Sequence, residues 1–273
     1  MLDSLTKPRI MGILNVTDDS FSDGGKCLNP EVAVRHALQM LDAGADIIDI
    51  GAESTRPGAR TVSATEEWER LHPVISGILD QAPSCYISID TQKSYVAERA
   101  IDLGARMIND ISALEYDPEL SFLLAERSSI DLVLMHMQGR PENMQINPHY
   151  TDVVTEVKHY LIERLHYAEQ QGISAQRIYL DPGIGFGKSL EHNLALLANL
   201  DVYQGYQVLL GASRKSFIGK ICDSAPGQRL GGTLAAALMG MLAPVQIIRV
   251  HDVYEHFQFS TVLGELVKFR RHD

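Results

Sequence analysis

The sequence has few cysteines, no long hydrophobic run and fewer basic than acidic residues. Its three cysteines, Cys27, Cys85 and Cys222, are odd in number and form no Cys-x-x-Cys pair, which excludes a disulfide framework and a cysteine zinc site. The longest apolar stretch, residues 234–245, is shorter than the roughly 20 residues that a membrane span needs. The first residues lack the apolar segment of a secretory signal. We therefore predict a cytoplasmic protein that does not bind membranes.

The charge balance narrows the class of ligand. Lysine and arginine total 24 and aspartate and glutamate total 35, which gives a net charge of −11. A field of this sign repels phosphate backbones, so we predict no binding to nucleic acid. A small anion can still bind where basic residues cluster. Hydrophobic residues make up 45% of the 273 residues, which is enough for a sizeable core.

Short apolar runs alternate along the chain with segments of helical periodicity. The runs cover residues 10–16, 46–51, 86–91, 107–112, 131–137, 178–183, 207–213 and 247–252. Their nearly continuous apolar character is typical of parallel strands that are covered by helices. Helical periodicity is clearest at residues 153–168 and 253–269, and the Asn29-Pro30 pair is a typical helix start.

Eight strand-and-helix units in a chain of this length predict a (β/α)8 barrel, the TIM-barrel fold of the α/β class. An open, doubly wound parallel sheet is the alternative. No linker rich in proline, glycine or serine divides the chain, so residues 1–273 are predicted to form a single domain.

Polar residues interrupt the predicted strands at their carboxyl ends. In a barrel, these ends and the loops after them carry the active site. One polar residue at a strand end is often only a cap, but polar residues at all eight ends predict a site. They are Asn15, Asp49 (with Glu53, Thr55 and Arg56 in the loop that follows), Asp90, Asn109, Asp110, His136, Asp181, Arg214, Lys215, Arg249, His251 and Asp252.

These polar residues form two chemical groups. Asp90, Asn109 and Asp181 suit a flat heterocycle that carries amino, ring N–H and carbonyl groups. Arg56 and the cations after strands 7 and 8 suit a phosphate, which barrels often bind at that position. Residues 213–216 also open a predicted helix, whose free N–H groups favour an anion.

Three other patterns give weaker signals. Residues 181–189 resemble a phosphate-binding P-loop, but Pro182 replaces its first glycine. His251 and His256 have no third ligand nearby in the sequence, so no zinc site is expected. His136 lies in a Met-His-Met run, where a buried, hydrogen-bonded histidine is favoured over a catalytic one.

Ten short motifs follow one another along the chain. They are MGILNVT at residues 11–17, DSFSDGG at 19–25, ESTRPGA at 53–59, SIDT at 88–91, IND at 108–110, MHMQG at 135–139, DPG at 181–183, GFGK at 185–188, SRKS at 213–216 and IIRVHD at 247–252. Together they resemble the dihydropteroate synthase family over essentially the whole chain. The resemblance implies a transferase of folate synthesis, which joins 6-hydroxymethyl-7,8-dihydropterin diphosphate to 4-aminobenzoate. The products would be 7,8-dihydropteroate and diphosphate.

The same resemblance, carried over by motif, implies the site residues. The pterin would contact Asp90, Asn109, Ile111, Met137, Asp181, Lys215 and Arg249. The diphosphate would contact Asn15, Thr55, Arg56, Arg249 and His251, with Asn15 also placing the expected cofactor, Mg²⁺. The aminobenzoate would contact Phe21, Arg56, Pro57, Phe186, Lys215 and Ser216. The catalytic set would be Asn15, Arg56, Asp90, Lys215, Arg249 and His251.

The resemblance also implies the chemistry and the partners. Departure of Mg-bound diphosphate would leave positive charge on the pterin methylene, so the path would be SN1-like, with the aniline nitrogen attacking afterwards. Sulfonamides would compete as mimics of aminobenzoate, and the family suggests a homodimer. Asp18 stands where the family usually has proline, and this departure bears on the closure of the first loop.

Two alternative functions share part of the pattern. A barrel methyltransferase that uses methyltetrahydrofolate and a corrinoid partner would have the acidic pterin group but would not need Arg56, Arg249 and His251. A pterin-binding protein without catalysis would have a broken phosphate group, and in this sequence that group is intact.

Overall fold

The computed structural model describes residues 5, 7–17, 29–54, 61–243 and 245–270. Eight parallel strands close into a barrel in chain order. They are β1 (Arg9–Asn15), β2 (Ile47–Gly51), β3 (Ile87–Asp90), β4 (Met107–Asp110), β5 (Asp131–Met135), β6 (Ile178–Asp181), β7 (Gln207–Leu210) and β8 (Ile247–Val250). Because β1 pairs with β8, the predicted (β/α)8 barrel is confirmed and the open sheet is excluded.

In the described part of the chain, one α-helix follows each strand, except that two follow β7, and these helices cover the outside of the barrel. They are α1 (Pro30–Asp42), α2 (Ala64–Gln81), α3 (Ser94–Leu103), α4 (Glu119–Glu126), α5 (Val153–Gln170), α6 (Leu190–Ala198), α7 (Ser216–Cys222), α8 (Leu230–Leu242) and α9 (Val253–Arg270). The Asn29 side chain caps α1 by accepting the Glu31 N–H, as the sequence predicts for this helix start. Among the described residues, no helix is both long enough and apolar enough to cross a membrane.

The observed strands start within one residue of their predicted starts but end up to three residues earlier. The turn after β4 gives the physical reason. The Asp110 carboxylate accepts hydrogen bonds from the N–H groups of Ser112 and Leu114, at 2.8 and 2.6 Å. Ala113 and Leu114 both have positive φ, which is incompatible with a strand. The apolar run therefore continues into a turn, which periodicity alone cannot separate from the strand.

The inside of the barrel consists of layers. The lower layer is apolar and contains Met11, Ile47, Met107, Val133, Tyr179, Leu209 and Ile247. Side chains two positions apart in a strand share a face, so the next inward residues toward the carboxyl ends are Asp49, Asn109, Asp181 and Arg249. The fold thus places a polar layer directly above an apolar floor.

Candidate active site

Arg249 on β8 is held by two carboxylates from β2 and β3. Its Nε donates to Asp49 Oδ2 at 2.5 Å, and its Nη2 donates to Asp90 Oδ2 at 2.8 Å. Asp49 is fully buried and also accepts hydrogen bonds from Ser88 Oγ at 2.6 Å and from Asn109 Nδ2 at 3.1 Å. Burial alone would lower the pKa of Arg249, but the two carboxylates outweigh it and raise that pKa. Asp49 therefore fixes both Arg249 and Asn109 in place.

Asp90 and Asp181, the two predicted pterin carboxylates, end β3 and β6. Burial raises the pKa of Asp90 to about 7, against the opposite effect of Arg249. Burial also raises the pKa of Asp181, although the Gly183 N–H donates to its Oδ1 at 2.8 Å. The Oδ2 atom faces Gly211, where an added Cβ would lie 3.6 Å away. Both carboxyl groups therefore favour a ligand that brings N–H donors or positive charge.

Lys215 lies between these carboxylates and the loop after β6. Its Nζ is 4.0 Å from the centroid of the Phe186 ring, which is a cation–π contact. Burial and, to a smaller extent, the charge of Arg249 lower the pKa of Lys215 to about 8. The charges of Asp181 and Asp90 act in the opposite direction and raise it. Both carboxylates thus act on the same amine, so strands β3, β6 and β8 contribute to one electrostatic site.

The loop that carries Phe186 is hydrogen-bonded to a buried lysine, Lys188. Lys188 is 2% exposed, and its Nζ lies 2.9 Å from Phe186 O, 2.9 Å from His136 Nδ1 and 3.3 Å from His136 O. At Gly183, where φ is +65°, an added Cβ would lie 1.9 Å from His136 O. His136 is therefore the buried, hydrogen-bonded histidine that the sequence predicts, and residues 181–189 form a tight turn against it.

Two contacts join the loops after β7 and β8. Ser213 Oγ lies 3.0 Å from His251 Nδ1 and accepts the His251 backbone N–H at 3.2 Å. Arg214, with φ +56°, donates to the Asp252 carboxylate through Nε at 3.0 Å and also through Nη2. Arg214, which its sequence position groups with the phosphate cations, is thus paired with Asp252. Burial, with the charges of Arg214 and Arg249, lowers the pKa of His251 to about 4, so its ring is neutral at neutral pH.

The remaining predicted site residues that the structure describes lie at or after the same strand ends. They are Asn15 at the end of β1, Ile111 after β4, Met137 after β5, and Ser216 at the start of α7. Ser216 is exposed, whereas Ile111 is buried. The predicted residues Phe21, Thr55, Arg56 and Pro57 lie outside the described residues, as does Asp18.

Sequence patterns indicate no individual role for Asp49, Ser213 or Lys188. Asp49 lies two residues after Ile47, which is on the inward face of β2. The alternation of side chains along a strand therefore predicts that Asp49 also faces the inside of the barrel. The Ser213–His251 contact joins residues 38 positions apart, and the Lys188–His136 contact joins residues 52 positions apart. No local pattern indicates such pairs.

Comparison with known proteins bears on the family of this chain. A family model described as pterin binding enzyme matches residues 11–251. The dihydropteroate synthase of Escherichia coli K12 is 47% identical over 261 residues, which cover 95% of this chain and 92% of that enzyme. The chain belongs to the dihydropteroate synthase family. The predicted family and enzyme class are confirmed.

Solved structures of the dihydropteroate synthase family share the fold. The Yersinia pestis enzyme with a sulfonamide drug superposes with a TM-score of 0.88 at 42% identity, covering 95% of this chain and 94% of that chain. The Xanthomonas albilineans enzyme in complex with 7,8-dihydropteroate gives a TM-score of 0.85 at 41% identity, covering 96% of this chain and 95% of that chain. Near-complete coverage of both chains means that the likeness extends over the whole barrel.

Proposed function

We propose that this chain joins 6-hydroxymethyl-7,8-dihydropterin diphosphate to 4-aminobenzoate and releases 7,8-dihydropteroate and diphosphate. The observation that carries the proposal is the division of the polar residues at the barrel mouth into two groups. Strands β3, β4 and β6 supply Asp90, Asn109 and Asp181, whereas β8 and the loop after it supply Arg249 and His251. A pterin diphosphate has the matching halves, one with N–H donors and one with negative charge.

The acidic group suits the pterin ring. Among the described residues, the Asp181 carboxylate is hydrogen-bonded only by the Gly183 N–H, through Oδ1, so Oδ2 is available to an N–H of the ring. Asn109 donates through Nδ2 to Asp49, which leaves its Oδ1 as an acceptor. A ring with amino and N–H groups would supply donors to both oxygens.

The donor set at the mouth fits a Mg²⁺ ion that binds together with diphosphate. In the described part of the chain, no group of three His, Cys, Asp or Glu side chains could hold a metal by itself. Asn15 ends β1 at the mouth, and an amide oxygen is a suitable ligand for this hard cation, which keeps several waters and is usually bound through substrate phosphates. Bound there, Mg²⁺ would stabilise negative charge on the leaving diphosphate.

The proposed reaction is dissociative and needs no side-chain nucleophile. The bond between the pterin methylene carbon and the diphosphate oxygen breaks, and the electron pair leaves with the oxygen. Arg249 and neutral His251 donate hydrogen bonds to the departing diphosphate. The electron-rich pterin spreads the positive charge of the methylene. The aniline lone pair then forms the new carbon–nitrogen bond, and the nitrogen loses a proton to solvent.

The aminobenzoate is proposed to lie beside Phe186, Lys215 and Ser216. Lys215 is held over the Phe186 ring, and Ser216 begins α7 on the exposed side. An acid group directed outward would meet the Ser216 hydroxyl and nearby backbone N–H groups, while the amine would point inward to the methylene. Sulfonamides would compete for this pocket because they carry the same aniline.

We also propose a homodimer in the cytoplasm. An apolar stripe on α9 supports the dimer: Val262, Leu266 and Phe269 are 58%, 63% and 76% exposed, at positions that share one helix face. Cys85 and Cys222 are free thiols, which suits a reducing compartment. Sedimentation of wild type and of Leu266→Glu tests the dimer, with a shift to monomer expected for the variant.

An omission series tests the proposed reaction. The purified chain is incubated with the pterin diphosphate, 4-aminobenzoate and Mg²⁺, and then with each reagent left out in turn. Dihydropteroate is expected only in the complete mixture. Methyl transfer from methyltetrahydrofolate to a corrinoid acceptor would favour the methyltransferase, and pterin binding without any product would favour a binding protein.

A further inference from the structure

The side chain of Ser213 makes two contacts with the same residue. Its Oγ lies 3.2 Å from the backbone N of His251 and 3.0 Å from the ring Nδ1. A backbone N–H can only donate, so the hydroxyl oxygen accepts there. The hydroxyl proton remains available for a second bond, and Nδ1 is the atom within reach.

The hydrogen bonds distinguish the two neutral forms of the ring. With the proton on Nε2, Nδ1 accepts the Ser213 hydroxyl and every partner is satisfied. With the proton on Nδ1, the hydroxyl would accept twice and its own proton would need another acceptor. Within the described residues, Ser213 Oγ has no other partner, and Ser213 is 4% exposed. That second form leaves a buried donor unpaired, which is unfavourable.

The surroundings favour the neutral ring. Burial and three cations, Arg214, Arg249 and Lys215, all lower the pKa of His251 to about 4, against the effect of Asp252. Ser213 itself is held in a fixed turn. The Arg214 N–H donates to Thr233 Oγ1 at 3.1 Å, and the Arg214 side chain pairs with Asp252.

We propose that Ser213 is a positioning residue that fixes His251 in the Nε2–H form, so that the ring donates a hydrogen bond to the diphosphate. This inference rests on the proposed function, because the anion is the diphosphate of the pterin substrate. A ring with the proton on Nδ1 would instead direct a lone pair at the phosphate oxygens. His251 is half-buried at the mouth beside Arg249, so its second nitrogen is the one left for a ligand.

The nitrogen chemical shifts of His251 test the assignment without any reaction. Two-dimensional proton–nitrogen spectra of the labelled full chain are recorded at neutral pH, and the His251 signals are identified by their loss in His251→Gln. A pyridine-type Nδ1 and a pyrrole-type Nε2 are expected. The reverse pattern, or a charged ring, would overturn the proposal. Because this result needs no variant of Ser213, a folding defect in such a variant does not affect it.

Binding of Mg²⁺ and inorganic diphosphate tests the consequence. Ser213→Ala is expected to weaken calorimetric binding about fivefold, the equivalent of one neutral hydrogen bond, and to mix the two ring forms in the spectra. Affinity for a pterin without diphosphate should not change. Ser260→Ala is the matched control, since it removes another buried serine hydroxyl, which donates to Phe257 O on α9 and does not contact His251. Equal diphosphate affinity in Ser213→Ala and wild type would refute the role.

The two proposals fail in different ways. If the wild-type chain makes no dihydropteroate but binds diphosphate more tightly than Ser213→Ala, the reaction is wrong and the positioning role stands. If dihydropteroate forms and Ser213→Ala keeps full diphosphate affinity, the reaction stands and the positioning role is wrong.

Discussion

Arg249 Nη2 donates a hydrogen bond to Asp90 Oδ2 over 2.8 Å, which joins β8 to β3 across the barrel mouth. The same guanidinium donates through Nε to Asp49. Arg249 therefore lies between the acidic group proposed for the pterin and the His251 loop proposed for the diphosphate. Both halves of the substrate would contact a cation that is already in position. The site would therefore need little reorganisation as negative charge develops on the leaving diphosphate.

Asp49→Asn tests whether this arrangement depends on Asp49. Three donors reach its carboxylate, from Ser88, Asn109 and Arg249, and an amide has one acceptor oxygen in place of two. Removing one partner of a buried ion pair costs about 3–5 kcal/mol. We expect a lower free energy of unfolding and a kcat/KM that falls by about a hundredfold or more. Ser88→Ala, which removes a single donor, is the matched control and should lose less than about tenfold. Full activity in Asp49→Asn would contradict the role.

Asp181→Asn tests pterin recognition. The change replaces a charged double acceptor with a mixed donor and acceptor, so we expect a loss of about 2–4 kcal/mol in binding free energy. Calorimetry with a pterin that lacks diphosphate measures this directly. Asp131→Asn is the control, since Asp131 accepts the Tyr86 hydroxyl at the opposite end of the barrel. Unchanged affinity in Asp181→Asn would remove this residue from the pterin site.

The pH dependence of kcat/KM for the pterin diphosphate tests Lys215. Burial lowers the pKa of this amine to about 8, so its positive charge is present below that pH and is lost as the pH rises. Since kcat/KM reports groups of the free enzyme, it should fall as the pH rises through about 8. Lys215→Arg should move the decline to higher pH, because arginine stays charged. An identical decline in both proteins would assign the titration to another group.

Lys188→Met tests whether the buried lysine fixes the position of the loop that carries Phe186. The methionine fills much of the space but leaves Phe186 O and both His136 acceptors without their donor. We expect a loss of about 2 kcal/mol or more in unfolding free energy and a higher KM for aminobenzoate. Affinity for the pterin should stay close to wild type. An equal loss at both subsites would mean that Lys188 acts on the whole mouth rather than on this loop.

The aminobenzoate carboxylate is expected to contribute to binding more than to the chemical step. We predict that 4-aminobenzamide is a much poorer substrate through KM rather than kcat, since the lost contact near Ser216 exists in ground and transition states alike. Sulfonamides should compete with aminobenzoate in steady-state kinetics. Inhibition that excess aminobenzoate fails to relieve would refute a shared pocket.

The barrel and its polar layer were predictable because their signal is local. The apolar runs mark all eight strands, and the spacing of two places Asp49, Asn109, Asp181 and Arg249 on the inward face. What each side chain does depends on long-range pairing. Arg249 and Asp49 are 200 positions apart, and the pairing of Arg214 with Asp252 rather than with an anion follows from how two loops meet. Sequence patterns carry no information about such contacts.

The most direct test of the proposed reaction is the stoichiometry of its two products. The purified chain is incubated with the pterin diphosphate, 4-aminobenzoate and Mg²⁺, and mass spectrometry and a phosphate assay quantify 7,8-dihydropteroate and diphosphate together. Equal amounts of the two products, formed at the same rate, are expected. No dihydropteroate, or diphosphate released without it while aminobenzoate is in excess, would contradict the proposed function.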